Sequence, residues 1–227
     1  MKSSANQKTK TWPVLPLIRA GLVGVLAWTL AGTVQAAAYE DFVQAVKNSR
    51  PAEVIALLKR GMDPNSVDQT GQPVLHVAAR EGNLEVVQAL VQAGADIDKR
   101  NAFKETPIML ACITGSTKIV EYLVSKEAQI NQPGWTPLLY AATNGHNEIV
   151  KILIENHAYI DSSAPNGSTP LMMAVRGGHI STAQLLLEEG ADPTIKNENG
   201  ESAESWAVMS KNTELAQLIR TKSQKKR

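Results

Sequence analysis

The chain has 227 residues with 23 Lys+Arg against 22 Asp+Glu, is 43% hydrophobic and 4% aromatic, and holds one cysteine. These fractions belong to a folded chain and exclude collagen-like, low-complexity and disulfide-built classes, since a single thiol closes no internal bridge. The near-neutral total gives no global argument for a nucleic-acid partner.

The first segment differs from the rest. It carries Lys2, Lys8, Lys10 and Arg19 with no acid, and Ala20 to Ala31 is apolar or small apart from Thr29. A basic start, an apolar stretch and the short residues leading to Ala36 form the pattern of a secretory signal. Residues 1–36 are therefore expected to be a signal peptide cleaved after Ala36 or Ala38, or else an uncleaved membrane anchor. In both cases the basic residues stay cytoplasmic and the remainder is exported, most simply to a periplasm. A membrane contact is expected only through this segment if it is kept.

From about residue 39 the chain repeats itself. Val74-Leu75-His76-Val77-Ala78-Ala79 returns as Pro107-Ile108-Met109-Leu110-Ala111-Cys112, as Pro137-Leu138-Leu139-Tyr140-Ala141-Ala142 and as Pro170-Leu171-Met172-Met173-Ala174-Val175, in steps of 33, 30 and 33 residues. Gly82, Gly115, Gly145 and Gly178 keep the same steps. Each Thr-Pro pair suits a helix start, because a Thr hydroxyl accepts from an orphan N–H and Pro is tolerated in the first turn. Val86, Val87, Leu90 and Val91, with their counterparts Ile119, Val120, Leu123 and Val124, make the apolar face of a second helix. One such pair cannot bury that face alone, so neighbours must stack.

Thr106-Pro107, Thr136-Pro137 and Thr169-Pro170, the Leu75-His76-Val77-Ala78-Ala79 run, Gly145-His146, Gly178-His179, Gly94-Ala95-Asp96 and Gly190-Ala191-Asp192 together resemble the ankyrin repeat family. The resemblance implies an all-α solenoid of about six helix-turn-helix repeats with β-turn fingers over 39–221. The units fall at about 39–67, 68–100, 101–131, 132–163, 164–196 and 197–221, followed by a basic tail at 222–227. The end repeats depart from the motif, with Glu40-Asp41, Lys59 and Arg60 in the first and Ser202-Ala203-Glu204-Ser205 in the last, as water-facing caps would. The connection through Gln132-Pro133-Gly134 is three residues short, which predicts a truncated finger with Trp135 at its base.

The resemblance further implies a non-enzymatic protein-binding module whose concave face joins finger tips and first helices. The positions that correspond to that face are Gln69, Thr70, Gln72, Arg80 and Glu81, then Arg100, Ala102, Phe103, Glu105, Ile113 and Thr114. They continue as Trp135, Thr143 and Asn144, then Pro165, Asn166, Ser168 and Arg176. Phe103, Ile113 and Trp135 are apolar where water is expected, and Arg80, Arg100 and Arg176 flank them. The partner is expected to be a protein of unidentified kind, and the chain a monomer. The same surface could serve a chaperone-like protective factor for a secreted enzyme or an effector that binds a host protein.

Chemistry finds little footing. His146 and His179 share one repeat position and His76 fills another motif position, while Cys112 stands where Ala79 and Ala142 stand. No metal, hydrolase or phosphate-loop spacing occurs, so no catalytic residue, metal or cofactor is expected. Asn166-Gly167-Ser168 reads as a turn, and Ser223-Gln224-Lys225-Lys226 lies in a polar tail that cannot preorganise a nucleophile. The charge total also resolves: the four basic residues of the leader and the five from Arg220 onward leave 14 basic against 22 acidic residues in the repeats.

Overall fold

A computed structural model describes residues 36–225. Two compact units are present, Met1–Asp41 and Phe42–Arg227. Of the first, residues 36–41 are described and are helical. The expected leader lies, except for Ala36, outside the described residues, as do the last two residues of the basic tail.

Among its described residues the second unit consists of helices and turns, with isolated antiparallel bridges at Val67–Pro73 and Lys196–Ser202. It opens with helix α1 at 42–47, whose Phe42, Val43, Ala45 and Val46 are buried, followed by α2, Pro51–Lys59. Three pairs follow: α3, Val74–Glu81, with α4, Leu84–Gln92; α5, Pro107–Thr114, with α6, Thr117–Ser125; and α7, Pro137–Asn144, with α8, Asn147–Glu155. The last two pairs are α9, Pro170–Arg176, with α10, Ile180–Glu188, and α11, Ala203–Met209, with α12, Thr213–Lys225. Helices α3, α5, α7, α9 and α11 stack on one another in an inner row, and α2, α4, α6, α8, α10 and α12 in an outer row. This is a repeat solenoid.

The local rules act once per repeat. Pro107, Pro137 and Pro170 open α5, α7 and α9, where the missing N–H costs no helical bond. Thr136 Oγ1 accepts from Leu139 N at 3.2 Å and Thr169 Oγ1 from Met172 N at 3.4 Å. Thr106 departs from this expectation: its hydroxyl makes no such bond, and its own N–H points at Met109 Sδ, 3.3 Å away.

The chain reverses after each inner helix through a residue with positive φ. Those residues are Ser49, Gly82, Gly115, Gly145, Gly178 and Lys211, with φ from 53° to 76°. Ser49 and Lys211 extend the register of the four glycines in both directions, so six such turns occur among the described residues. At Gly115 and Gly145 a second constraint applies, because a Cβ there would overlap the ring of His146 or His179.

Burial follows the helical period. Val86, Val87 and Leu90 of α4, Ile119, Val120 and Leu123 of α6, and Ile149, Val150 and Leu153 of α8 are fully covered. Val91, Val124 and Ile154, one position further, are only half-buried at the edge of the stripe. Leu139, Ala164 and Met173 form one buried cluster with Trp206 packed against it, so the core runs through three successive repeats without a break. Each covered Leu is worth about 1.5–3 kcal/mol relative to exposure.

The repeats are also tied by polar groups. Asn65 Oδ1 accepts from Asp96 N, Asp98 Oδ1 from Gln129 N, Asn131 Oδ1 from Tyr159 N and Asp161 Oδ1 from Asp192 N, all at 2.8 to 2.9 Å. His76 Nε2 lies 2.9 Å from Glu105 O, His146 Nε2 3.2 Å from Ile113 O, and His179 Nε2 3.0 Å from Thr143 O. These three histidines therefore bridge repeats. At the C-terminal end, α11 leaves Val208 54% and Met209 70% exposed, so that repeat is a less polar cap than its sequence suggests.

Candidate functional site: a cleft at the shortened finger

Three fingers are built on a short polar residue that clamps its own turn, whereas the finger at 164–168 has Ala164 in that place and closes through backbone bonds. Asp68 Oδ1 accepts from the N–H groups of Thr70 and Gln72, Asn101 Oδ1 from those of Phe103 and Glu105, and Asn197 Oδ1 from those of Asn199 and Glu201. Asp68 is buried and also meets Lys47 Nζ at 3.2 Å. Burial opposes its ionisation, but the hydrogen bonds from Thr70 and Gln72 and the Lys47 ammonium prevail and bring its pKa down to about 2.

The fourth finger lacks this clamp. Asn131 is already engaged with His157 O and Tyr159 N of the next repeat, and Gly134, at φ 85°, follows only three positions later. Gln132 takes the clamp's place, buried, with its amide nitrogen 3.4 Å from Met109 Sδ and 3.5 Å from Trp135 O. The deletion falls between the inter-repeat tie and the turn, and it shortens the finger without breaking the ladder of ties.

Trp135 then sits at the base of the shortened finger, 37% exposed, with its ring stacked on Tyr140 of α7 at a centroid distance of 5.1 Å and an interplanar angle of 30°. Tyr140 Oη donates to Glu105 Oε1 at 3.3 Å, and Glu105 Oε2 accepts from Asn101 Nδ2 at 2.9 Å. Burial, together with the neighbouring Glu105 carboxylate, pushes the phenol up to about 12. On the other side Phe103 projects from its clamped turn, 80% exposed. Arg100, Phe103, Lys104, Pro133, Gly134, Trp135, Tyr140 and Pro165 enclose a cleft of about 230 Å³.

Four of the residues expected on the binding face, Arg100, Phe103, Trp135 and Pro165, are thus brought together. Gln69, Thr70, Arg80, Asn144 and Arg176 are exposed but lie outside the cleft. Arg80 lies 3.8 Å from Glu81, and Arg176 borders a different hollow of about 470 Å³ with Asn166, Trp206 and Met209. Ile113 and Thr143 are half-buried and outside the cleft: their carbonyls face His146 and His179, and Thr143 Oγ1 donates to Leu139 O at 2.6 Å. Lys104 and Tyr140 belong to the cleft and were not expected there. The signal for Lys104 was its place in the register of Gly71, Gly134, Gly167 and Gly200, all at positive φ.

Cys112 is fully buried, and burial pushes its thiol far above the ordinary range. Among the described residues no cluster of His, Cys, Asp or Glu could hold a metal ion, and no helix is long and apolar enough to cross a membrane.

Stacked helix pairs with one turn-borne finger per repeat define a class of scaffold whose exposed finger side is a surface for other proteins. The family profile "Ankyrin repeats (3 copies)" matches residues 42–101, 75–164 and 156–227, and the chain belongs to the ankyrin repeat family. It is 38% identical over 76 residues to Protein fem-1 homolog A-like of Mus musculus, a match that covers 34% of this chain and 12% of that protein. It is 36% identical over 89 residues to the Notch-regulated ankyrin repeat-containing protein of Xenopus laevis, covering 37% of this chain and 78% of that one. A match to Protein phosphatase 1 regulatory subunit 27 of Mus musculus, 39% identical over 66 residues, covers 29% and 43%. The chain therefore spans only part of these relatives. The family is a protein–protein interaction module and is generally non-enzymatic. A partial match to Glycerophosphocholine phosphodiesterase gde1 of Schizosaccharomyces pombe covers 7% of that enzyme.

Proposed function

We propose that this chain is an exported, monomeric, non-enzymatic binding protein that captures a protein partner on its finger side, centred on the cleft at the shortened finger. The observation that carries the reading is the convergence of two exposed aromatic side chains, Phe103 and Trp135, from adjacent fingers onto one cleft. Aromatic anchors in desolvated pockets are where binding energy concentrates. Export to the periplasm rests on the basic and apolar leader of residues 1–36, and the absence of chemistry on the repeat-bridging roles of His76, His146 and His179 and the inert burial of Cys112.

The test is capture of partners from the native envelope by the tagged chain and by its Phe103→Ala/Trp135→Ala variant. Loss of a stoichiometric partner with an unchanged circular dichroism melt supports the reading. Undiminished capture removes this face. Mass spectrometry of the N-terminus of the protein from its native cells would read a start at Ala37 or Tyr39 if the leader is cleaved, and recovery in the cytosol with Met1 intact would overturn export.

A further inference from the structure

Resting on that reading of the finger side, we infer that the cleft takes one apolar side chain of an acidic segment of the partner, with Arg100 and Lys104 receiving the carboxylates that flank it. The cleft's volume, about 230 Å³, lies below the roughly 300 Å³ at which small-molecule sites begin. Its walls are Pro133, Trp135, Tyr140 and Pro165, which offer ring and methylene surface. A space of that size and lining suits a single aromatic or branched aliphatic group, the unit from which hot spots are made.

Charge selects the neighbours of that group. Arg100 and Lys104 are exposed, line the cleft, and have no carboxylate within 4.0 Å among the described residues. Glu105, the nearby acid, is already bound by Asn101 Nδ2 and Tyr140 Oη. Two unneutralised cations therefore face outward beside an apolar hole, in a repeat body that is acidic as a whole. Acidic flanks on the partner would be steered to this spot and repelled elsewhere on the surface. The Trp135 and Tyr140 rings also lie against one another instead of forming an open box, and a cationic guest would meet Arg100 and Lys104 first.

Three blocked, fluorescently labelled peptides test this with the full chain: a central phenylalanine flanked by aspartates, the same with lysine flanks, and the aspartate peptide with alanine at its centre. The aspartate–phenylalanine peptide should bind at least about tenfold more tightly than either control, and weaken as salt shortens the Debye length. Arg100→Glu/Lys104→Glu, two exposed substitutions, should lower its affinity about tenfold and raise that of the lysine peptide. Equal binding of the alanine peptide, preference for lysine flanks, or no binding by any peptide overturns the inference. If Phe103→Ala/Trp135→Ala abolishes partner capture while the peptides fail, the proposed binding face stands and only this partner chemistry falls.

Discussion

The ring of Trp135 stacks on that of Tyr140 across the base of the shortened finger, so an exposed residue of a turn is held by a half-buried residue of an inner helix. Aromatic pairs of this kind are worth about 0.5–1.5 kcal/mol beyond their area. Trp135→Ala should thus destabilise the fold by about 1 kcal/mol while lowering partner capture tenfold or more. Trp135→Phe should retain most of both. Urea melts read beside a binding titration separate the two effects, and a large loss of stability with unchanged capture would make Trp135 purely structural.

Tyr140 reports on the same cleft. Its hydroxyl stays protonated to about pH 12, above the 10 of an unperturbed phenol, because it is buried beside the Glu105 carboxylate. The unfolded chain gives up that proton first as the pH rises, so this contribution to stability is present below about pH 10 and is lost between about 10 and 12. Ultraviolet titration of native protein should show Tyr140 ionising late, beside Tyr122, whose phenol burial also pushes up. In Glu105→Gln Tyr140 should ionise earlier while Tyr122 stays unchanged.

Asp68 sets an acid limit. Its pKa of about 2, against 3.8 for the free group, contributes on the order of 2 kcal/mol that is fully present above about pH 4 and lost as the pH falls through about 2. Asn101 and Asn197 fill the same clamp position, so Asp68→Asn should fold. Its melts should lack this part of the acid dependence, and an identical pH profile in both proteins would refute the assignment.

Gly145 and Gly178 form a matched pair. Both have positive φ, 76° and 74°, but a Cβ at Gly145 meets the His179 ring whereas at Gly178 it meets nothing within 4 Å. Gly178→Ala should cost about 1–2 kcal/mol for conformation alone. Gly145→Ala should cost clearly more, and part of the excess should return in Gly145→Ala/His179→Ala. Equal costs at the two glycines would show that the ring moves aside freely.

Cys112 should behave as an inert core atom. A thiol reagent should label it only at the rate of unfolding, and Cys112→Ala should cost about 1 kcal/mol or less, because Ala79 and Ala142 fill its place in neighbouring repeats. Fast labelling of the native protein would reopen the question of reactivity.

The sequence by itself determined the fold. The 33-residue step, the Thr-Pro starts, the turn glycines and the apolar faces each state a local requirement, and stacked helix pairs satisfy all of them together. It also marked Phe103, Trp135 and Arg100 as positions that leave the core, because repeat register fixes which positions do. Register could not show what each exposed position touches. Ile113 and Thr143 were expected on the binding face, yet the histidine of the following repeat meets their carbonyls, and Tyr140 shares the cleft with Trp135, on whose ring it stacks. The first two outcomes depend on contacts between residues 33 and 36 positions apart, and the third on the length of the finger before Trp135. A periodic pattern specifies each repeat's own helices and turns, whereas side chains meeting across repeats are settled by packing in three dimensions.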